Sequence, residues 1–300
     1  MTNTKAAMIT ICGRPNVGKS TLTNALVGEK IAIVSNKPQT TRNRITAIVS
    51  RGNTQFVLMD TPGFHKPRTR LGDYMVNVVK ESVADVDAVL LLVEPVSVIG
   101  AQERALLDNL RESGVPVVLV INKIDTVEPS SLLEVMALYA GEFDFSAIIP
   151  VSALTGDGVE ELLKELEKFA APGEALFPEG MVTDQPEKQV VAELIREKLL
   201  LCLDREVPHG TAVEITGFSE RDAADGEPVI DVEATIYCEK ASHKGIIIGK
   251  GGAMLKKIGA MARQDIESFM GARVFLQTWV KVRENWRDSQ AQLRNFGYRE

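Results

Sequence analysis

The octapeptide Gly13-Arg14-Pro15-Asn16-Val17-Gly18-Lys19-Ser20 is the most informative segment for the fold of the first half of this 300-residue chain. The spacing of its two glycines, lysine and serine fits the phosphate-loop pattern G-x-x-x-x-G-K-[ST]. The glycines let backbone N–H groups approach phosphate oxygens, and the helix that follows adds its positive N-terminal end. Lys19 would reach the β- and γ-phosphates, and the Ser20 hydroxyl would hold Mg²⁺. The octapeptide therefore predicts a nucleoside triphosphate site.

The sequence around this loop has the strand–loop–helix order that such a site needs. Residues 7–12 form a short apolar run typical of a β-strand, and residues 19–27 predict a helix that ends near Gly28. The alternative is a glycine-rich turn that merely precedes a helix, and the strand in front of the loop disfavours it.

Outward from the loop, apolar strands alternate with helical segments as far as residue 170. Several strands are continuously apolar, which a sheet covered on both faces requires. We therefore predict a doubly wound, mostly parallel α/β domain. Its expected strands are residues 7–12, 44–50, 55–60, 87–93, 116–121 and 147–151, and its expected helices are residues 19–27, 72–84, 101–112, 130–140 and 157–170.

The rest of the chain predicts a second, α+β domain. Prolines and glycines without periodicity mark residues 173–186 as a linker between domains at 1–172 and 187–300. The expected order after the linker is α-β-β-α-α-β, with a helix at 187–203, strands at 212–218, 229–237 and 273–282, and a last helix at 252–269. A Gly-x-x-Gly turn at 249–252 lies between its last two helices.

Composition describes an ordinary globular protein, with 45% hydrophobic residues and a mean hydropathy of zero. No apolar run approaches the roughly 18 residues of a membrane span, and the phosphate loop follows the N-terminus too closely for a secretory signal. Cys12, Cys202 and Cys238 are far apart, which favours reduced thiols in the cytoplasm over disulfides or a zinc site. The three histidines are scattered, so we expect surface or loop positions for them.

The net charge of −7 conceals an asymmetry along the chain. Residues 181–237 carry a net charge of −8, whereas residues 238–300 carry twelve Lys and Arg against six Asp and Glu, a net of +6. A basic end on an acidic chain predicts a local anionic partner. A solvated charged face is the alternative.

Asn122-Lys123-Ile124-Asp125 follows an apolar strand and selects among nucleotides. A carboxylate at Asp125 accepts the N1–H and 2-amino hydrogens of guanine, whereas adenine has no donors in that arrangement and would leave a buried carboxylate unpaired. The motif resembles N-K-x-D of the translation-factor-like GTPases. That resemblance assigns Asn122 to the guanine side and to support of the phosphate loop, and Lys123 to packing along the base. Ser152-Ala153-Leu154 is similar to a further guanine-contacting element, in which the Ala153 amide contacts the base.

Asp60-Thr61-Pro62-Gly63 resembles the D-x-x-G segment of the same GTPases. The resemblance implies that Asp60 supports Mg²⁺ through water and that the Gly63 amide bonds the γ-phosphate; a strand-end turn is the alternative for Asp60. Thr40 or Thr41 should bind Mg²⁺ and sense the γ-phosphate, and Thr41 is favoured. Phe64 stands where related enzymes place a water-orienting Gln, so we expect slow turnover, on the order of 10⁻⁴ to 10⁻³ s⁻¹ without an activator.

The second domain resembles a type II KH domain through its element order and the turn Gly249-Lys250-Gly251-Gly252. Glycines let an RNA backbone approach the main chain, and Lys250 neutralises phosphate. The expected RNA-binding residues are Ile248, Gly249, Lys250, Gly251 and Gly252. Ile247 and Ile248 could line the groove or belong to the core. Trp279, Trp286, Phe296 and Tyr298 could stack on bases, but we expect them to be packed.

Taken together, GRPNVGKS, KPQTTR, DTPG, NKID, IIGKGG and KVRENWRD resemble the Era family of bacterial GTPases over nearly the whole chain. The resemblance implies a switch that depends on GTP/GDP and Mg²⁺, binds 16S rRNA near its 3′ end, and assists maturation of the 30S ribosomal subunit. It also implies a monomer that lies in the cytoplasm and associates loosely with the periphery of the membrane. It also implies K⁺ binding through Asn16, for which a loop-shaping role is the alternative. By the same resemblance, the catalytic residues would be Lys19, Thr41 and Gly63, and the metal ligands would be Ser20, Thr41 and Asp60. The nucleotide would contact Gly13, Asn16, Val17, Gly18, Lys19, Ser20, Thr21, Asp60, Gly63, Asn122, Lys123, Asp125, Ser152 and Ala153.

Two other functions remain open from the sequence. A tRNA-modification GTPase would share the nucleotide motifs but would not end in a KH domain. An RNA-binding protein could use GTP only as a regulatory ligand, although Lys19, Ser20, Asp60 and Asp125 are all present.

Overall fold

The protein, analysed as a computed structural model that describes residues 4–63, 69–83, 85–223 and 226–298, divides into two compact units. The first comprises residues 1–32, 41–68 and 72–184, and the second comprises residues 33–40, 69–71 and 185–300. Each unit has its own hydrophobic core.

The first unit is built on a mostly parallel sheet. Among the described residues its central strand order is β2-β3-β1-β4-β5-β6; only β2 within that order is antiparallel to its neighbour, and the short β7 pairs antiparallel with β1. The strands are β1 (Lys5–Gly13), β2 (Ile45–Arg51), β3 (Thr54–Asp60), β4 (Ala88–Val93), β5 (Val117–Ile121), β6 (Ala147–Pro150) and β7 (Ala171–Pro172).

Helices cover both faces of this sheet, as its continuously apolar strands require. Leu90 and Leu92 of β4 point into one core cluster, whereas Val89 and Leu91 point into the other. The helices are α1 (Lys19–Val27), α2 (Arg70–Glu81), α3 (Ala101–Ser113), α4 (Pro129–Ala140) and α5 (Val159–Leu166). The predicted doubly wound α/β class is thereby confirmed. The helix expected at 157–170 is shorter, because its last turn tightens into a 3₁₀ turn at Glu167–Phe169.

The second unit packs helices on one face of a three-stranded sheet, counted over the described residues, in the order β10-β9-β8. β10 runs parallel to β9, and β8 runs antiparallel to it. The elements are α6 (Glu187–Cys202), β8 (Thr211–Asp222), β9 (Pro228–Cys238), α7 (Ala241–Ile248), α8 (Ala253–Met270), β10 (Arg273–Val282) and the short α9 (Gln290–Asn295). The expected α-β-β-α-α-β order is present.

Residues 33–40 belong to the second unit although they lie between α1 and β2 in the chain. Ile33 joins the core of that unit, and the buried guanidinium of Arg196 donates to the carbonyls of Gln39 and Thr40. Lys37 Nζ donates to the carbonyl of Leu203 at the end of α6. The sequence predicts a division at residues 173–186 and therefore assigns residues 33–40 to the first domain, which differs from the structure.

Part of the expected linker at 173–186 is hydrogen-bonded to the first unit. The Gln55 side chain holds the backbone of Phe177 by two hydrogen bonds of 2.9 and 3.0 Å. The Val182 carbonyl accepts from the Ile48 amide at 2.9 Å. These residues therefore follow the edge of the first sheet instead of spanning a gap as free chain.

The aromatic residues near the C-terminus divide into two groups. Trp286 is fully buried, donates to the Gly210 carbonyl at 2.9 Å, and packs against Phe296 and Tyr298, as expected. Trp279 is 42% exposed, contrary to expectation, because alternation along β10 turns it away from the helices. His243 also departs from expectation, since it is buried at the start of α7.

Over the part of the chain that the structure describes, every helix is too short or too polar to span a lipid bilayer. All three cysteines are free.

Two adjacent isoleucines of α7 provide a test of how the second unit is held together. Ile247 is fully buried in the core, whereas Ile246 is 50% exposed. We expect Ile247→Ala to destabilise the unit by about 2–5 kcal/mol, because it leaves a cavity, and Ile246→Ala to change stability by less than about 0.5 kcal/mol. Urea unfolding followed by circular dichroism checks this, and equal midpoints for the two variants would contradict the assignment.

Candidate functional site

The loop between β1 and α1 forms a narrow backbone cradle. A Cβ on Gly13 (φ +153°) would lie 2.5 Å from the carbonyl oxygen of Leu92, and one on Gly18 (φ +98°) would lie 2.2 Å from the amide nitrogen of Asn122. Both glycines are therefore fixed by the close approach of neighbouring chain as well as by their backbone conformation. Val17 between them is buried in the core, so only its backbone is available to a ligand.

Lys19 lies buried at the start of α1 with its ammonium group turned back over the loop. Its Nζ donates to the carbonyls of Gly13 and Arg14 at 3.1 and 2.9 Å. Burial lowers the pKa of Lys19, partly offset by the charge of Asp60. An anionic ligand such as a phosphate would favour the charged form of this lysine.

Ser20, Thr41 and Asp60, the three expected metal ligands, lie together beside Lys19. The Ser20 hydroxyl lies 2.8 Å from Thr41 Oγ1 and donates to Asp60 Oδ2 at 2.7 Å. Burial raises the pKa of Asp60 to about 6, against the opposing effects of Lys19 and the Ser20 hydrogen bond.

This cluster fits a magnesium ion held jointly with nucleotide phosphates. Asp60 Oδ1 is buried and, among the described residues, has no hydrogen-bond partner. The described residues also contain no group of three His, Cys, Asp or Glu side chains that could hold a metal by themselves. Mg²⁺ characteristically uses one or two protein oxygens, waters and substrate phosphates, which is the donor set available here.

The two candidate threonines have different surroundings. Thr41 contacts Ser20, whereas the Thr40 hydroxyl is bonded to Ser35 Oγ at 2.8 Å and to the Lys37 carbonyl at 2.6 Å. Because Thr40 is engaged within its own loop, the geometry favours Thr41 as the residue that would bind Mg²⁺.

The D-x-x-G segment approaches the phosphate loop closely. A Cβ on Gly63 would lie 2.8 Å from the backbone of Pro15, so only glycine fits there without displacing the loop. Phe64, the next residue, lies outside the described residues.

Asn122 joins three loops at the carboxyl ends of the strands. Its side-chain amide donates to the Val17 carbonyl at 2.8 Å and accepts from the Ala153 amide at 3.0 Å. The Ser152 hydroxyl donates to Asp125 Oδ1 at 2.6 Å. Asp125 is exposed instead of buried, so a bound guanine, and not the protein, would cover its carboxylate.

Glu94, at the end of β4, is a site residue that the sequence motifs missed. Lys123 Nζ donates to the Asn16 carbonyl at 2.7 Å and also to Glu94 Oε1. Arg14 donates to the other oxygen, Glu94 Oε2, at 3.0 Å. One carboxylate thereby links the phosphate loop to the guanine loop.

A second carboxylate extends this network inward. Glu103 of α3 is buried and pairs with the Nε side of Arg14. In the sequence, Glu94 is only a charged residue directly after an apolar strand, and Glu103 is only a charged residue within a helix. Such residues are common, so the sequence does not reveal that these two carboxylates pair with Arg14 and Lys123 from other segments.

The second unit carries a groove beside the glycine turn. The groove has a volume of about 410 Å³ and is lined by Gly252, Leu255, Lys256, Gly259, Ala260, Arg263, Leu276 and Thr278. Lys250 and Gly251 are exposed at the turn itself. Gly249 has φ +72°, and a Cβ there would lie 2.7 Å from the Met254 Cβ, so glycine is needed where α7 passes into α8.

The two isoleucines before the turn are largely structural. Ile247 lies in the core, and the half-buried Ile248 packs against it and is not part of the groove lining. The basic residues Lys256 and Arg263 of α8 line the groove.

We expect Glu94→Gln to weaken both GTP and GDP binding about tenfold, because it removes the charge that orients Lys123 and Arg14 around the nucleotide. Glu142→Gln is the matched control, since Glu142 has similar exposure (35% against 31%) and also pairs with an arginine, Arg104. Titration of a fluorescent guanine nucleotide measures both. If the two variants bind equally well, Glu94 has no part in positioning the site.

Family models match both units. The model described as a 50S ribosome-binding GTPase matches residues 8–123, and the KH-domain model matches residues 206–287. Among solved structures, the chain is similar to Era in complex with MgGDPNP and nucleotides 1506–1542 of 16S ribosomal RNA, at a TM-score of 0.94 and 36% identity, covering 99% of this chain and 100% of that one. It is also similar to a point variant of Aquifex aeolicus Era bound to GDP·AlF₄⁻, at a TM-score of 0.93, 35% identity and the same coverage.

Curated relatives extend over almost the full length. GTPase Era of Ruminiclostridium cellulolyticum is 51% identical over 295 residues, covering 98% of each chain. GTPase Era of Alkaliphilus metalliredigens is 50% identical over 294 residues, covering 98% of this chain and 99% of that one. With the phosphate loop, the guanine loop and the glycine-turn groove all in place, the protein belongs to the GTPase Era family.

Proposed function

We propose that the chain is a GTP-hydrolysing switch that binds 16S rRNA near its 3′ end and assists maturation of the 30S ribosomal subunit. The observation that carries the proposal is the presence, in one chain, of a guanine-nucleotide site and a basic groove beside an exposed Gly-x-x-Gly turn. The relative bound to nucleotides 1506–1542 of 16S rRNA supports the choice of RNA.

In the first unit, the protein would position the nucleotide and balance the charge of its phosphates. Lys19 and the loop amides would hold the phosphates, and Asp125 and Ala153 would recognise guanine. Ser20, Thr41 and Asp60 would hold Mg²⁺, which neutralises charge that develops on the phosphate oxygens during hydrolysis. The Thr41 hydroxyl and the Gly63 amide are then the groups that would distinguish GTP from GDP by contact with the γ-phosphate.

In the RNA half, the groove offers both apolar and basic contacts. Leu255 and Leu276 provide surface for bases, and Lys256 and Arg263 provide charge for phosphates. The KH unit also disfavours a tRNA-modification GTPase, which has no such domain.

Replacing Lys250 and Gly251 together with Asp tests the RNA half. The double variant places negative charge at the turn, so we expect it to weaken binding of the 1506–1542 RNA fragment at least about tenfold and to leave GTP hydrolysis unchanged. Gly251 has space for a side chain, with nothing within 4 Å of a Cβ, and Asp tolerates its left-handed conformation better than most residues.

The matched control is Gln102→Asp with Lys164→Asp. This pair makes the same change in net charge at exposed positions of the first unit. Filter binding at fixed salt compares the variants, and an equal loss in both would mean that only overall charge matters. Unchanged RNA affinity in the Lys250/Gly251 variant would refute the proposed site.

Potassium is a further part of the proposal. Asn16 has a left-handed backbone (φ 67°) at the tip of the loop, and its carbonyl accepts from Lys123. A monovalent cation near Asn16 would supply positive charge that Phe64 cannot. We expect faster GTP hydrolysis in KCl than in NaCl at equal ionic strength, and equal rates would remove K⁺ from the mechanism.

We also propose that the chain acts as a monomer in the cytoplasm and contacts the membrane only peripherally. The support is the net charge of +6 on residues 238–300, which favours anionic surfaces. Sedimentation with anionic vesicles in low and high salt checks the contact, and no salt-sensitive binding would contradict it.

A further inference from the structure

On the sheet face of the second unit that lies opposite its groove, Tyr237 of β9 is buried against Phe296, but within the described residues the outward side chains of β10 are exposed. Along β10, the side chains alternate, so that Leu276 and Thr278 line the groove on the helix side. Phe275, Gln277 and Trp279 point to the opposite side. Phe275 is 51% exposed and Trp279 is 42% exposed, the two largest apolar side chains of this strand. We call the two rings, Phe275 and Trp279, the β10 aromatic row; Gln277 lies between them.

The charges around this row are segregated. The cations Arg273, Lys281 and Arg283 lie at its two ends and are exposed. Arg283 lies 5.8 Å over the ring of Tyr237, on the same face. The row is therefore bordered by positive charge along the strand direction.

The acidic groups of this face are directed away from the row. Asp231, which pairs in register with Phe275, is bound to Arg221 of β8 at 2.6 Å. Glu233, which pairs with Gln277, lies over β8, since a Cβ on Gly217 would be 2.9 Å from its carboxylate. Both carboxylates thus belong to the β8 side, and the β10 edge presents aromatic rings and cations.

We propose that the β10 aromatic row continues the RNA-binding surface and stacks bases of the single strand that leaves the groove. The inference rests on the proposed RNA-binding function of the groove. Aromatic rings spaced along a strand and bordered by cations are the usual platform for single-stranded nucleic acid. Phe275 and Trp279 are four residues apart, about 13 Å along the strand, which leaves room for separate bases.

Continuity with the groove identifies the occupant. Within the described residues, β10 is the edge strand of its sheet and pairs only with β9, so a chain that passes over that edge goes from the groove to the row. A KH groove holds about four nucleotides. The 1506–1542 segment bound by the relative is much longer than that, so RNA remains to continue beyond the groove.

The chain offers a direct spectroscopic test because it has two tryptophans, of which Trp286 is fully buried and Trp279 is exposed. We expect the 1506–1542 RNA fragment to quench tryptophan fluorescence of the unmodified full-length chain. Quenching should disappear in Trp279→Phe, which keeps an aromatic ring and leaves Trp286 as the fluorophore. Persistent quenching in Trp279→Phe, or none in the unmodified chain at saturating RNA, would overturn the proposal.

Affinity provides the second measurement. We expect Phe275→Ala with Trp279→Ala to weaken binding of the 1506–1542 fragment about tenfold or more, and to leave affinity unchanged for the shortest nested fragment that the unmodified chain still binds. Gln277→Ala, between them on the same face, is the matched control and should bind both fragments normally. Circular dichroism and GTP hydrolysis verify that each variant is folded.

The variants distinguish failure of the groove from failure of the row. If Lys250→Asp with Gly251→Asp leaves all RNA binding intact, the groove does not bind RNA. If that variant loses binding but the Phe275/Trp279 variant binds the long fragment normally, the groove stands and the row is overturned as an RNA surface. A Phe275/Trp279 variant that instead loses self-association would assign the row to a protein contact and would equally overturn the proposal.

Discussion

The side-chain amide of Asn122 is the interaction on which the nucleotide site depends. It is 2% exposed, and its two ends bind the backbone of the phosphate loop and of the loop after β6. Parallel strands bring these loops to one edge of the sheet, but only a group that donates and accepts at once can hold their separation. The absence of a Cβ at Gly18 is part of the same arrangement, because a methyl group there would displace that amide. Glu94 performs a similar task with charge, through Lys123 and Arg14.

The phosphate end of the site is electrostatically incomplete in the protein alone. Burial disfavours the charged forms of both Lys19 and Asp60, and each is only partly stabilised by the other. A phosphate and a divalent cation would supply the two missing charges together. The arrangement explains why a nucleotide and its metal would bind as a unit, with Ser20 and Thr41, which contact each other, as further oxygen donors that such a metal could use.

The second unit uses one strand for two purposes. The inward residues of β10 complete a core and line a groove, while its outward residues form a row of exposed rings. Helices on one face are sufficient to bury the core, which includes Ile247, Ile258 and Ile266. On the opposite face, Tyr237 of β9 is buried against Phe296, whereas Phe275 and Trp279 of β10 remain exposed, and burial of their apolar surface would favour a ligand.

Local sequence was enough to predict an α/β domain followed by an α+β domain, the phosphate and guanine loops, and the glycine turn. These features depend on local patterns: apolar runs define strands, and fixed spacings place glycine, lysine and serine on the phosphate loop and asparagine, lysine and aspartate on the guanine loop. Tertiary structure alone decided what those patterns could not encode. It brought Glu94 from another segment to Lys123, placed residues 33–40 with the second unit, and exposed Trp279 while burying Trp286. These features depend on which residues, distant in sequence, become neighbours in the fold, or on which face of a strand is left uncovered. A local stretch of chain contains neither kind of information.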